Sequence, residues 1–189
     1  FWDVVRLANR HPRVNVHRAG PGVGGHCISV DPWFLVEQFP DTANLIHTAR
    51  RRNDAMPLHV VSRVLELLAG CEKPKAAILG LAFKGNVDDC RESPSLVVID
   101  ELWAKGVEVA VHDFFVRHSP YQTADLDECF AGADCAVLLT DHNDYKYISP
   151  YPVGQLMRRR VLFDTRNHLD HDAWRKAGFL VKILGSGAV

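Results

Sequence analysis

Ala76-Ala77-Ile78-Leu79-Gly80-Leu81-Ala82 is an unbroken apolar run, preceded by Lys73-Pro74-Lys75 and followed by Lys84-Gly85. A run this short, bounded this way, predicts a strand buried on both sides. The pattern repeats downstream. Ser93-Pro94 opens a helix through Leu102 that stops near Lys105-Gly106, with Ser93 as its N-cap. Val107 to Val111 predicts a second strand, Leu126 to Ala131 a short helix, and Asp134 to Thr140 a third strand. Val153 to Met157 predicts a helical turn, Arg160 to Asp164 a fourth strand, and Phe179 to Ile183 a last one. Strands alternating with helices predict an α/β fold with a parallel sheet covered on both faces.

Upstream the period changes. Residues 1–70 read as mainly helical, with Val4, Val5, Leu7 and Ala8 at helical spacing. His11 to Gly25 is a loop rich in Pro, Gly, Arg and His, and a helix is expected from about Pro32. Asp41 to Asn53 is a further helix carrying Arg50, Arg51 and Arg52 together. Pro57 either kinks it or begins the next, an amphipathic run from Leu58 to Leu68 ending at Gly70. Glu72-Lys73-Pro74-Lys75 is a polar joint, so the expected division is 1–72 and 73–189. Helices this apolar need partners, which predicts a dimer interface or packing on a further region. Phe1 to Ala8 reads as the middle of a helix, an expectation that the chain is the carboxyl part of something longer.

The bulk numbers narrow the function. The 189 residues are 47% hydrophobic and 24% charged, a globular composition. A net charge of −1 argues against a nucleic-acid or membrane surface held by bulk charge. No apolar stretch approaches transmembrane length. The five cysteines, at 27, 71, 90, 129 and 135, are dispersed and form no CxxC. That argues against a zinc site or disulfide framework and for a reducing, cytoplasmic setting.

Chemistry is signalled at Pro21-Gly22-Val23-Gly24-Gly25-His26-Cys27-Ile28-Ser29-Val30-Asp31-Pro32. Three glycines in four positions bring the backbone where side chains are not tolerated. Asp31-Pro32 opens a helix, with Asp31 as its expected cap. Cys27 thus lies between a tight loop and a helix start, where thiols become nucleophiles. The competing reading is a small buried apolar residue. At the carboxyl ends of the predicted strands stand Lys84, Arg91 and Arg166, a candidate diphosphate cluster. Solvated surface charge is the alternative. Gly80-x-Ala82-x-x-Gly85 is a weak match to a dinucleotide loop, because the helix waits until about Ser93.

Two motifs, Gly-Val-Gly-Gly-His-Cys-Ile-Ser-Val-Asp-Pro-Trp-Phe (22–34) and Leu-Ala-Phe-Lys-Gly-Asn-Val-Asp-Asp-Cys-Arg-Glu-Ser-Pro-Ser (81–95), resemble the UDP-glucose/GDP-mannose dehydrogenase family. The resemblance covers essentially the whole chain. The His-Cys-Ile-x-Val-Asp-Pro-Trp-Phe form, with Arg10-His11-Pro12-Arg13-Val14-Asn15 before it, is most similar to the bacterial branch that oxidises UDP-N-acetyl-D-mannosamine. Such enzymes have an amino-terminal NAD domain, a central helical dimerisation domain and a Rossmann-like UDP-binding domain. The resemblance implies that this chain is the end of the second and all of the third.

The implied reaction oxidises a sugar's C6 alcohol to a carboxylate in two NAD-dependent steps. A thiol captures the intermediate aldehyde as a thiohemiacetal, and water cleaves the later thioester. By position Cys27 is the nucleophile, and Asp31 orients or activates water. Gly22, Gly24 and Gly25 line the sugar. His11 and Arg13 reach substrate, across a homodimer in one version. Phe83 and Lys84 meet the sugar nucleotide, Arg91 touches NAD, and Arg166 holds substrate. Phe83 as core packing and His11 as a surface residue stay open. Many members of the family carry Lys before the Asp; Val30 stands there in this chain, a departure from the pattern that removes any cofactor contact made by that Lys. The competing function is a UDP-binding and dimerisation module without turnover. A Cys/His hydrolase built on His26-Cys27 ranks last, because adjacent side chains usually diverge.

Overall fold

The computed structural model describes residues 1–13, 15–16 and 18–187. Four helices come first: α1 (Trp2–Ala8), α2 (Asp31–Gln38), α3 (Asn44–Asp54) and α4 (Met56–Leu67). Then β1 (Lys75–Leu79), α5 (Pro94–Ala104), β2 (Glu108–His112), α6 (Leu126–Phe130), β3 (Cys135–Leu138), α7 (Pro150–Leu156), β4 (Val161–Asp164), α8 (His171–Lys176) and β5 (Leu180–Ile183) alternate. A 3-10 turn spans Asn143–Tyr147. The five strands run in the order β2-β1-β3-β4-β5, all parallel.

The period-2 geometry of strands explains both cores. Ala76, Ile78, Cys135, Val137, Val161 and Phe163 point to one face, against Val60, Val61 and Val64 of α4 and Val98, Ile99 and Leu102 of α5. Ala77, Leu79, Ala136, Leu138 and Leu162 point to the other, against Phe130, Val153, Trp174 and Phe179. Each fully buried aliphatic or aromatic side chain stabilises by roughly 1.5–3 kcal/mol. Pro57 begins α4 rather than kinking α3, its fixed φ suiting a first turn. Ser93 caps α5 as expected, its side chain accepting from the Ser95 N–H.

Some expectations change. The strand read as Ala76 to Ala82 ends at Leu79, because Gly80 turns with φ +102° and the Leu81 and Ala82 N–H groups bond to Asp113 Oδ2. Asp31 does not cap α2: Val30 occupies the cap, and Asp31 is already helical with no side-chain capping bond. Of the three arginines the sequence places together on α3, Arg50 is buried and paired with Asp54 at 2.6 Å, while Arg51 and Arg52 are exposed. The α8 helix was unread because His171-Asp172-Ala173-Trp174-Arg175-Lys176 has one core residue, Trp174. Its signal was Asp170, which caps it by accepting from the Ala173 N–H, with Gly178 beyond its end.

Candidate active site

The site sits at the carboxyl ends of the strands, where β1 sends its chain one way to β2 and the sheet grows the other way through β3. Such switch points leave a crevice. Its floor is held by Asp113, just after β2. One carboxylate oxygen accepts from the Leu81 and Ala82 N–H groups and from His142, the other from Phe115 and Val116. Burial pushes this carboxyl up, but the His142 bond and the backbone donors prevail and hold it far below the carboxylate range. His142 Nδ1 accepts from the Asn86 N–H at 2.9 Å, so Nε2 carries the proton donated to Asp113. Asn86 Oδ1 in turn accepts from the Asn143 N–H, pinning the loop after β1 to the loop after β3.

The segment from Arg18 to Asp31 lies across this edge. Arg18 donates to the Asn167 carbonyl at 2.7 Å, past β4. Gly20 lies on the Arg166 guanidinium so closely that a methyl group there would collide with it. A methyl at Gly24 would overlap the Glu92 carbonyl oxygen and reach 2.8 Å from Pro94 Cδ and 3.1 Å from Phe83 Cβ. At Gly25, where φ is +91°, it would meet the Phe83 ring at 3.1 Å, and at Gly22 it would meet Pro94 Cγ at 3.2 Å. The glycine run therefore docks the loop on the Phe83–Pro94 segment. From the other side Asn53 of α3 fastens it: the Val23 N–H donates to Asn53 Oδ1 at 2.8 Å, and Asn53 Nδ2 donates to the Val23 carbonyl.

Cys27 emerges from this clamp exposed, its Sγ 3.0 Å from His26 Nδ1. The Cys27 carbonyl accepts from the Val30 and Asp31 N–H groups, closing the turn into α2. Three buried cysteines differ in kind. Burial raises the Cys90 thiol and pushes Cys129 and Cys135 up to about 12, so these are packing residues. Asp31 is exposed at the start of α2. The adjacent His26 and Cys27 side chains do not diverge, contrary to the sequence expectation.

The cations are less free than their spacing suggested. Arg166 pairs with Asp141 at 2.9 Å, and its buried Nε has no partner among the described residues. Burial raises the Asp141 carboxyl, but the Arg166 charge and hydrogen bond, a backbone donor and the nearby His168 together bring it below its ordinary value. Arg91 spends Nε and Nη2 on the half-buried Asp89, and those bonds hold its carboxyl down to about 2. Lys84 is exposed, with no ion-pair partner among the described residues. His11 accepts from the Arg13 N–H, and no hydrogen bond or ion pair ties either side chain to this site among the described residues. Asn53, Asp113 and Asp141 are organising residues that sequence reasoning missed; each makes a contact at least 25 residues distant.

Residues 77–171 match the UDP binding domain of the UDP-glucose/GDP-mannose dehydrogenase family, and residues 1–55 match its central domain. A UDP-N-acetyl-D-mannosamine dehydrogenase of Methanococcus maripaludis is 48% identical over 192 residues, covering 99% of this chain and 45% of that protein. The UDP-D-ManNAc dehydrogenase structure from Pyrococcus horikoshii superposes with a TM-score of 0.85 at 35% identity, over 100% of this chain and 44% of that one. The NDP-N-acetyl-D-galactosaminuronic acid dehydrogenase of Methanosarcina mazei gives 0.86 at 27% identity, over 97% and 43%. The chain thus spans under half the length of these relatives. With both family domains matched in order over a five-stranded parallel sheet, the chain belongs to the UDP-glucose/GDP-mannose dehydrogenase family.

Proposed function

We propose that this chain carries the thiol and the nucleotide-gripping edge of an NAD-dependent UDP-sugar 6-dehydrogenase, with UDP-N-acetylmannosamine as the sugar nucleotide. The observation that carries the reading is the exposed Cys27 thiol held by glycine contacts against the carboxyl edge of the sheet. Lys84 and Arg166 grip the diphosphate; the unpartnered Arg166 Nε supports an anionic ligand beside it. Phe83 packs on Gly25 and walls the sugar. Cys27 Sγ adds to the C6 aldehyde, and Asp31 orients the water that releases the acid. In this reading residues 1–72 end a central helical domain, 73–189 bind the UDP-sugar, and the setting is cytoplasmic. The exposed Phe34 and Leu35 of α2, Phe39 just past its end and Leu45 of α3 support a homodimer through the helical segment. No helix of the described residues is long and apolar enough to cross a membrane.

The residues present do not fit a dinucleotide cradle. The Leu81 and Ala82 N–H groups are spent on Asp113 and the Phe83 N–H on the Asp89 carbonyl, and α5 begins only at Pro94. Arg91 is left as an edge contact to NAD. This favours a second reading for the chain alone, a UDP-binding and dimerisation module without turnover. Calorimetry with UDP, run beside an NADH assay with UDP-N-acetylmannosamine, tests both. UDP binding without NADH supports the module, and binding with NADH supports the dehydrogenase. Absence of UDP binding overturns both. In an enzyme that turns over, Cys27→Ser abolishes carboxylate formation; unchanged acid removes Cys27 as the nucleophile.

A further inference from the structure

We propose that His26 is the proton acceptor of the Cys27 thiol, a catalytic residue for thiol addition to the aldehyde. The inference rests on the reading above for its substrate, but the contact itself belongs to this chain. Nδ1 of His26 stands 3.0 Å from Sγ, within reach of a sulfur hydrogen bond. Adjacent side chains rarely meet. Here the left-handed Gly25, at φ +91°, turns the chain. Ser29 Oγ then bonds back to the Gly25 carbonyl, and the Val30 and Asp31 N–H groups close on the Cys27 carbonyl. This turn brings imidazole and thiol to one side. Both residues are exposed, and His26 Nε2 has no hydrogen-bond partner among the described residues. In the Nε2–H tautomer Nδ1 is free to accept from the thiol.

The charged groups around the pair are few. Asp31 follows on α2. Across the gap the Phe83–Glu92 loop presents Asp89, which lies near enough to feel the His26 charge, with Arg91 bonded to it. Asp89 is thus committed to Arg91, and the side chain bonded to sulfur is that of His26.

As Sγ attacks the aldehyde carbon, the S–H bond breaks and its electron pair forms the S–C bond. The proton passes to Nδ1. The C=O π pair moves onto oxygen, which then takes the proton from Nδ1–H. The net change is addition of S–H across C=O, giving the thiohemiacetal with neutral imidazole regenerated and nothing oxidised.

The test is alkylation of Cys27 by iodoacetamide in this chain, followed by peptide mass spectrometry against pH. His26→Asn keeps an acceptor near the Nδ1 position but cannot carry the proton, and His26→Ala removes both. Both variants are expected to alkylate about ten-fold more slowly than wild type at pH 7 and equally fast at pH 10, where solvent takes the proton. Equal rates at pH 7 in all three overturn the proposal. Slowing in His26→Ala alone overturns proton transfer and leaves a hydrogen bond only. Because no substrate is involved, these outcomes are separate from Cys27→Ser in a turning-over enzyme, which judges the dehydrogenase reading.

Discussion

The Asn53 carboxamide pairs with the Val23 backbone as a neighbouring strand would, accepting from its N–H at 2.8 Å and donating to its carbonyl at 3.2 Å. Through this one side chain α3 holds the cysteine loop from behind. Asn53→Ala removes both bonds and leaves the Val23 backbone to water. The expected loss is about 1–3 kcal/mol of stability, with the Val23 amide exchanging faster. Hydrogen exchange resolved to that peptide checks it; unchanged protection there excludes the clamp.

Gly24 faces the clamp's other jaw. Its neighbour is backbone, the Glu92 carbonyl, at a residue itself held at φ +52°. Neither can swing aside as a long side chain would. Gly24→Ala is expected to lower stability by about 1–3 kcal/mol, as overpacking does, and to lift the loop from Phe83. Urea unfolding measures the first effect and Cys27 alkylation rates the second. A wild-type midpoint with a wild-type rate rejects the close approach.

Lys84 and Arg166 separate binding from stability. Lys84 has no ion-pair partner among the described residues, so Lys84→Ala weakens UDP affinity by about 1–3 kcal/mol and leaves the unfolding midpoint unchanged. Arg166→Ala weakens UDP equally and also strands the half-buried Asp141, lowering stability. Calorimetry and denaturation on both variants decide it. Wild-type affinity removes the residue concerned from the site.

Two buried carboxyls set the acid limit. For Asp113 and Asp164 burial acts upward, but the His142 and His171 bonds and several backbone N–H donors bring the net shift below the ordinary value. A carboxyl depressed in the folded state stabilises above its unfolded value of about 3.9, and that stability drains as pH falls through the folded value. The contribution of these two carboxyls to the urea midpoint is therefore expected to hold from pH 7 to about pH 5 and to decline below about pH 4. Asp113→Asn flattens that decline, and an unaltered slope refutes the assignment.

The central strands β1, β3 and β4 were legible because each alternates between two buried faces, so Ala76-Ala77-Ile78-Leu79 and Cys135-Ala136-Val137-Leu138 could only be double-sided. Ser93 was legible because capping is local chemistry. Asp31 was misread as a cap because the Cys27 carbonyl captures the N–H groups one turn early and passes the cap to Val30. The candidate glycines, Cys27, Phe83 and Arg166 do gather on one edge, but the glycines meet protein rather than open space. Arg166 pairs with Asp141 over 25 residues and Asn53 with Val23 over 30, distances at which no spacing rule operates. The His26–Cys27 contact depends on the sign of one dihedral, φ at Gly25, which composition does not reveal.

The contact of Gly24 and Gly25 with Phe83 and Glu92 makes the molecule a calliper. In the proposed function its two jaws are the nucleotide edge and the sulfur, and hard-sphere repulsion, not a tether, sets their opening. Under the proposed function, the hexose that fits is the one whose C6 carbon spans that fixed gap. Lengthening the Phe83–Glu92 loop by a single residue would reset the gauge for every sugar at once.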